Sequence, residues 1–322
     1  MLIFCFLYNI ISIYLTFLEG DFMSSHSKGV FMALSGAVLW GIMGIFVRSL
    51  NAFGFTSIDI AFFRCFLSGI AFMIFNAVTN PKVLKVDIKG LIVCALYGII
   101  SYSVGFVSYG VSIERIPVAV ATVLMFMSPV WIALLSRVVF KEKLSAKNGI
   151  SIVVCIIGAV LVSNVIGVGN VKLDVLGIIC GLLNGFGVAL QVCIPRYFSD
   201  KYSKDTMLVY GFLAAGIVFA FFTDFGVVKA AVTGSEGTRA IFDIIFISLV
   251  CTMVANVSMV KSTSYISATV SGILSAIEVV VGALIGLLLY KESMSALQAI
   301  GAVIVVLGSL APNIIHFEKK KE

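Results

Sequence analysis

Ten apolar runs of membrane-spanning length occupy almost the whole of this sequence. They cover about residues 29–49, 57–79, 88–111, 117–140, 145–167, 173–194, 205–223, 240–261, 267–290 and 295–315. A helix needs about 20 apolar residues to cross a bilayer. Backbone groups in hydrocarbon must be hydrogen-bonded within the segment, and the runs lack the alternating polar residues of a barrel strand. The runs therefore predict an all-α integral membrane protein with ten transmembrane helices, here numbered 1 to 10.

The composition supports a multi-pass protein of the cell membrane with the lipid bilayer as its surroundings. Hydrophobic residues make up 61% of the chain and charged residues 12%, whereas a soluble domain carries about 25% charged residues. Ten spans with short connections use up the 322 residues. We therefore expect no separate catalytic domain and no nucleic-acid partner.

A hydrophobic extension, residues 1–22, precedes the ten runs. It has no positively charged start and is a poor signal peptide. Met23 follows it and begins a short polar leader that ends at Lys28. We interpret residues 1–22 as preceding the true translation start. The alternative is an extra hydrophobic helix, and the sequence leaves open whether the mature protein contains it.

The distribution of lysine and arginine predicts the orientation of the helices. With residues 23–28 in the cytoplasm, the inner segments hold 14 positive side chains and the outer segments hold six. Cytoplasmic loops carry the excess of positive charge in membrane proteins. Both termini of the ten-helix core are therefore predicted to be cytoplasmic.

An internal similarity appears when the chain is shifted by 150 residues. Phe140 to Ser145 then falls on Tyr290 to Ser295, so helices 4 and 5 match helices 9 and 10. We divide the core into residues 30–167 and 173–315, with five helices each. Because five is odd, the second half enters the membrane in the opposite sense. Inverted repeats build alternating-access transporters with a site between the halves, although duplication can also merely enlarge a scaffold.

Several short motifs together resemble the EamA-type branch of the drug/metabolite transporter superfamily. The resemblance covers about residues 30–312. Its motifs are Leu39-Trp40-Gly41, Arg64, Met127-Ser128-Pro129-Val130, Ala276-Ile277-Glu278-Val279, Lys141-Glu142 and Lys291-Glu292. The resemblance implies a ten-helix fold with a central cavity, cytoplasmic termini, and export or exchange of small metabolites such as amino acids.

One position departs from that family's pattern. The family often has a proline after the glutamate of helix 9, where this chain has Val279. Pro129 remains in helix 4 and can break that helix. We therefore predict that the two halves bend differently.

Two charged residues within the spans are candidates for substrate binding. A charge at the bilayer centre costs about 2.5–3.5 kcal/mol even on lenient scales, so such residues usually face the bundle interior. Glu278 lies midway along helix 9, where it could accept a proton, bind a substrate ammonium or serve as a structural acid. Arg64 lies early in helix 2 and could bind a substrate carboxylate, or pair structurally with Asp59 or a helix-end carbonyl.

Uncharged residues complete the candidate set. Trp40 lies near the middle of helix 1 and could form an aromatic wall or cation–π platform, and Asn184 occupies the matching place in helix 6. For each polar group an interhelical hydrogen bond is the alternative role. Further possible lining residues are Ser101, Tyr109 and Gln191, and the substrate-binding candidates are Trp40, Arg64, Tyr102, Asn184, Asn256, Ser275 and Glu278.

The remaining patterns indicate a secondary transporter and not an enzyme. The seven cysteines lie in apolar runs without a C-x-x-C pair, and the two histidines lie outside the strongly apolar runs, so we predict no metal site and no cofactor. No Walker-type phosphate loop or catalytic cluster is present. A channel or scaffold is the alternative, followed by a membrane enzyme. The oligomeric state stays open, and a monomer is compatible with the sequence.

Overall fold

The computed structural model describes residues 24–163, 174–291 and 293–318. The extension at residues 1–22 and the cationic tail at 319–321 lie outside them. The first half contains α1 (Ser25–Ala52), α2 (Ser57–Thr79), a 3₁₀ turn (Pro81–Leu84), α3 (Ile88–Arg115), α4 (Val118–Met125), α5 (Ser128–Val139) and α6 (Ala146–Val162). The second contains α7 (Val175–Tyr197), α8 (Lys204–Ala220), α9 (Phe225–Thr233), α10 (Gly237–Ser248), a π-helix (Leu249–Val254), α11 (Ala255–Ser262), α12 (Ala268–Ser275), α13 (Ile277–Tyr290) and α14 (Ala296–Glu318).

The all-helical prediction is confirmed for the described residues, which contain no strand. A helix lies at each of the ten predicted positions, and α9 is an additional short helix. Among the described residues, seven helical stretches are long and apolar enough to cross a membrane, and the pair α8 and α9, bent by 97°, is an eighth candidate. Two further apolar helices, Ala146–Val162 and Ala296–Ala311, are shorter. Length and composition thus support a multi-pass protein without establishing ten crossings.

Polar side chains determine where many of the helices begin. Thr56 and Asp59 form a capping box at the start of α2, which satisfies amides that the first helical turn leaves unpaired. Oδ1 of Asp59 also accepts a hydrogen bond from the backbone N–H of Asp224, at 2.8 Å. The Asp59 carboxylate therefore accepts hydrogen bonds at the start of α2, and it forms no ion pair with Arg64, which was one of the structural alternatives to a carboxylate site.

Pairs of glycines allow two helices to pack closely against α3. A Cβ atom at Gly98 would lie 1.9 Å from the carbonyl oxygen of Gly211 on α8. A Cβ atom at Gly187 on α7 would lie 2.5 Å from the backbone nitrogen of Gly105. Real side chains do not tolerate these distances, so only glycine permits such contact. These two crossings hold α7 and α8 against the middle of α3.

The helices at predicted positions 4 and 9 are both broken, at places about 150 residues apart. The first break separates α4 from α5 at Phe126 and Met127, and the second separates α12 from α13 at Ala276. The prediction that the halves bend differently is wrong in this respect, because helix 9 breaks without a proline. There the N–H of Ala276 donates to the carbonyl of Ile273, at 3.2 Å, which tightens the turn.

The same two helices also end alike. Lys141 and Lys291 adopt left-handed backbone conformations, with φ of 54° and 52°. This conformation is uncommon for residues other than glycine. The two lysines are 150 residues apart, the offset at which the sequence matches itself. The internal similarity therefore extends from residue identities to backbone conformation.

Candidate substrate cavity

A cavity of about 810 Å³ lies between the helices and is lined by residues of both halves. Five of the seven predicted substrate-binding residues line it, namely Trp40, Arg64, Asn184, Ser275 and Glu278. Gln191 and Tyr109 also line it. The cavity thus brings together residues from α1, α2, α3, α7, α12 and α13 that are far apart in the sequence.

Two predicted residues, Tyr102 and Asn256, are not among the lining residues. Tyr102 is fully buried, and its ring stacks on that of Phe212 with centroids 5.0 Å apart. The Nδ2 group of Asn256 donates a hydrogen bond to the carbonyl of Thr252, at 2.8 Å. Tyr102 therefore packs against α8, and Asn256 stabilises the backbone of its own span.

Arg64 is held at the cavity by an aromatic ring and a hydroxyl group. Its Nε donates a hydrogen bond to Oγ1 of Thr252, at 3.0 Å, and its Cζ lies 4.2 Å from the ring centroid of Phe106. Within the described ranges, no carboxylate lies within the 4.0 Å of an ion pair with Arg64. The two terminal guanidinium nitrogens make no hydrogen bond to described residues, so they remain available to a solute.

Glu278 lies in the first turn of α13, directly after the break in helix 9. Gly41 lets α1 approach this turn, since a Cβ atom at Gly41 would lie 2.8 Å from the Glu278 carbonyl oxygen. Trp40 is therefore brought close to the same turn. Glu278 has no ion pair or hydrogen bond among the residues that the structure describes. Arg64 lines the same cavity, and the two charged groups do not lie within the 4.0 Å of an ion pair.

Asn184 contributes one satisfied and one unsatisfied polar atom. Its Nδ2 donates to the carbonyl of Gly105, at 2.6 Å, which also fixes the orientation of the amide. Its Oδ1 is buried and accepts no hydrogen bond from any residue in the described part of the chain. Buried polar atoms in folded proteins are rarely left unpaired. Oδ1 of Asn184 is thus an available acceptor at the cavity wall.

One end of the cavity reaches the ends of several helices. Asn51, Ser57 and Arg48 line it where α1 ends and α2 begins, and Tyr290 lines it where α13 ends. The Cζ atom of Arg48 lies 4.5 Å from the ring centroid of Tyr290, which joins α1 to α13 at this end. The sequence prediction assigns this end to the outer face of the membrane.

At the opposite end of the helix bundle, an ion pair joins the two halves of the chain. Nη2 of Arg196, at the end of α7, lies 2.6 Å from Oε1 of Glu142, which follows α5. The Arg196 guanidinium also lies over the ring of Phe140, 4.5 Å from its centroid. Oγ1 of Thr269, on α12, donates to Glu142 at 3.4 Å. None of these residues lines the cavity. Glu142, which follows the end of α5, therefore joins the first half of the chain to the second.

The two residues that hold Arg64 at the site were not predicted from the sequence. Phe106 lines the cavity and stacks on Arg64, and Thr252 hydrogen-bonds to it. Phe106 was one of many apolar residues in helix 3, so its type carried no signal. Thr252 is a polar residue inside a span, which is a signal of the kind used for the other candidates.

Metal-binding chemistry finds no support in the described ranges. No group of three or more histidine, cysteine, aspartate or glutamate side chains lies close enough to hold a metal ion in the described residues. Six cysteines there are free and buried: Cys65, Cys94, Cys155, Cys180, Cys193 and Cys251. Cys5 lies outside the described ranges.

Comparison of the sequence with known proteins finds similarity to transporters. A model of the EamA-like transporter family matches residues 27–164 and 175–312. An uncharacterized transporter of Helicobacter pylori (strain ATCC 700392 / 26695) is 27% identical over 290 residues, which are 88% of this chain and 93% of the relative. The pseudopaline exporter CntI of Pseudomonas aeruginosa (strain UCBPP-PA14) is 23% identical over 288 residues, covering 88% and 95%.

A solved crystal structure shares the fold. It matches with a TM-score of 0.75, covering 90% of this chain and 98% of that chain. The sequence identity is 15%, so this structural similarity shows a shared fold and nothing about function.

Proposed function

The chain belongs to the EamA-like transporter family, and from that premise we propose that it is a secondary transporter of a small zwitterionic metabolite. It is a multi-pass membrane protein whose substrate is a small molecule. The names of the family and of the relatives indicate a transporter and not an enzyme. The observation that carries the proposal is that Arg64 and Glu278 line one cavity without ion-pair partners among the described residues.

The two charges suit a solute that carries both an acidic and a basic group. A guanidinium binds a carboxylate through two parallel hydrogen bonds, and the Glu278 carboxylate can accept hydrogen bonds from an ammonium group. Unpaired charges within a membrane protein are costly and usually mark a substrate or ion pathway. A solute bridging Arg64 and Glu278 would neutralise both. Trp40 and Oδ1 of Asn184 add an aromatic surface and an acceptor.

The size of the cavity favours a solute larger than the simplest amino acids. Its volume of about 810 Å³ lies within the roughly 300–1,000 Å³ of sites that enclose drug-sized ligands. We therefore propose an amino-acid-like metabolite with a substantial side chain or a conjugate of an amino acid. The relative named as a pseudopaline exporter supports outward movement, by export or exchange.

Alternating access between two states would carry the solute across. The cavity reaches the helix ends at Arg48 and Asn51, and the Glu142–Arg196 pair joins the two halves at the opposite end of the bundle. The positive-inside distribution supports assigning the paired end to the cytoplasm. On this proposal the structure is outward-facing, the core has ten crossings in two inverted halves, and breakage of the ion pair accompanies the inward-facing state.

Efflux from proteoliposomes tests the proposal. Vesicles would be loaded with three solute classes: amino-acid-like zwitterions, their carboxyl amides, and their deaminated acids. The wild type should release the zwitterions fastest, because only they pair with both charges. Arg64→Gln should remove that preference. Arg137→Gln is the matched control, since Arg137 also lies within a predicted span and is exposed. If a different metabolite class moves and no zwitterion does, the proposal is wrong.

A further inference from the structure

The span that contains α10 and α11 leaves α-helical geometry in its middle. Six residues, Leu249–Val254, form a π-helix. In this wider turn the hydroxyl of Thr252 donates to the carbonyl of Ile247, five residues earlier, at 2.8 Å. In regular α-helices of this chain, the hydroxyls of Thr79, Thr122 and Thr233 donate to the carbonyl four residues earlier. The π-helix therefore directs the Thr252 hydroxyl to the carbonyl five residues earlier, and not to the one four residues earlier as in a regular α-helix.

Because of this bond to Ile247, the Thr252 hydroxyl acts as the acceptor in its hydrogen bond with Arg64. Thr252 is fully buried, and its single hydroxyl proton is directed to the Ile247 carbonyl. Its oxygen is then free to accept the N–H of Arg64 Nε, at 3.0 Å. A guanidinium has donors and no acceptor, so the bond can form only in this sense.

A second hydrogen bond joins α2 to the α10–α11 span, one helical turn away from the Arg64–Thr252 contact. The Ser68 hydroxyl, four residues after Arg64 on α2, donates to the carbonyl of Ser248 at 2.7 Å. Ser248 precedes Thr252 by four residues, so both contacts follow the same pair of helices. The amide of Asn256 satisfies the Thr252 carbonyl. The span that contains α10, the π-helix and α11 is thus joined to α2 at two points, one through Ser248 and one through Thr252.

We propose that Thr252 is a positioning residue for recognition of the solute's acidic group. It binds the Nε of Arg64, while the ring of Phe106 covers one face of the guanidinium. The edge formed by the two terminal nitrogens then remains for the solute, so a carboxylate approaches end-on and not across Nε. This inference rests on the proposed function, since it assigns Arg64 to a carboxylate.

The test compares Thr252→Val with Thr252→Ser in proteoliposomes. KM and Vmax would be measured for a transported zwitterion and for its carboxyl amide. Thr252→Val should raise KM for the zwitterion about tenfold, the effect of losing one hydrogen bond to a charged group. Vmax and KM for the amide should change little. Thr252→Ser keeps the hydroxyl and should restore the wild-type KM.

A second variant and a control separate positioning from folding. Phe106→Leu removes the ring over the guanidinium and should raise the zwitterion KM in the same selective way. Ser68→Ala removes the neighbouring contact without touching Arg64, so it should lower the thermal unfolding temperature but not the preference for the acid.

The outcomes distinguish this inference from the proposed function. Equal increases of KM for zwitterion and amide in Thr252→Val, or no rescue by serine, would overturn the positioning role. If Arg64→Gln removes the acid preference and Thr252→Val keeps it, the positioning role is wrong and the proposed function stands. A wild type with no acid preference would overturn both.

Discussion

Glu142 and Arg196 form an ion pair of 2.6 Å between the segment after α5 and the end of α7. Their side chains are only 19% and 22% exposed, respectively. The pair lies at the end of the bundle away from the residues that line the cavity mouth. It connects the first half of the chain to the second where an alternating-access protein must open and close.

Removal of this ion pair should make the end of the bundle near Glu142 and Arg196 more accessible to reagents. Cys193 provides a native reporter, because its thiol is buried and it lies on α7 three residues before Arg196. In Glu142→Gln, maleimide labelling of Cys193 should be about fivefold faster, since a pair this sheltered contributes at least the ~1 kcal/mol upper end for exposed pairs. Peptide mass spectrometry would measure the rate.

The control for that experiment is Lys143→Gln, which changes the charge of an exposed neighbour that forms no described ion pair. It should leave the labelling rate unchanged. Equal labelling of Cys193 in Glu142→Gln and the wild type would show that the pair does not hold this end closed.

Glu278 should make transport depend on pH. If the ionised carboxylate binds the solute's ammonium group, the apparent affinity in the wild type rises as pH rises through the titration of Glu278. Glu278→Gln removes the titrating group, so its pH profile should be flat over that range and its affinity lower. Counterflow in proteoliposomes at several pH values measures this. Glu114→Gln alters an exposed acid near the end of α3 and serves as the control. An unchanged pH profile in Glu278→Gln would remove its ionic role.

The break before α13 should tolerate a proline that the rest of the helix cannot. Val279 lies in the first turn of α13, where its N–H bonds only to the carbonyl of Ala276, at 3.2 Å. Val279→Pro should therefore cost about 1 kcal/mol, the value of one ordinary hydrogen bond. Leu284→Pro, in the helix interior, should cost about 3 kcal/mol or more. Unfolding in detergent measures both, and equal losses would contradict the observed break.

The contact between Gly98 and Gly211 should be the most sensitive point of the packing against α3. A Cβ atom at Gly98 meets the Gly211 backbone, which cannot rotate away. Gly98→Ala should lower stability by about 1–3 kcal/mol, as overpacking does. Gly149 has open space around its Cβ position, so Gly149→Ala should be neutral or stabilising. Similar thermal unfolding temperatures for the two variants would show that α3 and α8 are not in close contact.

Much of the architecture could be predicted because hydropathy is a local property. A run of apolar residues must become a helix in hydrocarbon whatever its neighbours are. The charges within these runs, Arg64 and Glu278, were candidates for the same reason, because a buried charge is costly wherever the helix packs. The 150-residue offset, visible in Lys141 and Lys291, also needed no tertiary information.

The neighbours of each residue could not be predicted in this way. Tyr102 and Tyr109 lie seven residues apart on α3, about two turns, and so nearly on the same face. Tyr109 lines the cavity, whereas Tyr102 is covered by Phe212 of α8. Both tyrosines lie on the same face of α3, but α8 covers that face at Tyr102 and leaves it open at Tyr109. Hydrophobic periodicity predicts which residues share a face, and it carries no information on where another helix packs against that face.

The sequence by itself determined the helical spans, the membrane environment, the internal repeat and the two charges that most need a partner. Only the tertiary structure decided that Arg64 is held by Thr252 and Phe106, that Glu142 pairs with Arg196, and that helix 9 breaks without proline. The physical reason is distance along the chain. Spans follow from the transfer of local segments into lipid, whereas these contacts join residues of different helices and depend on how those helices pack.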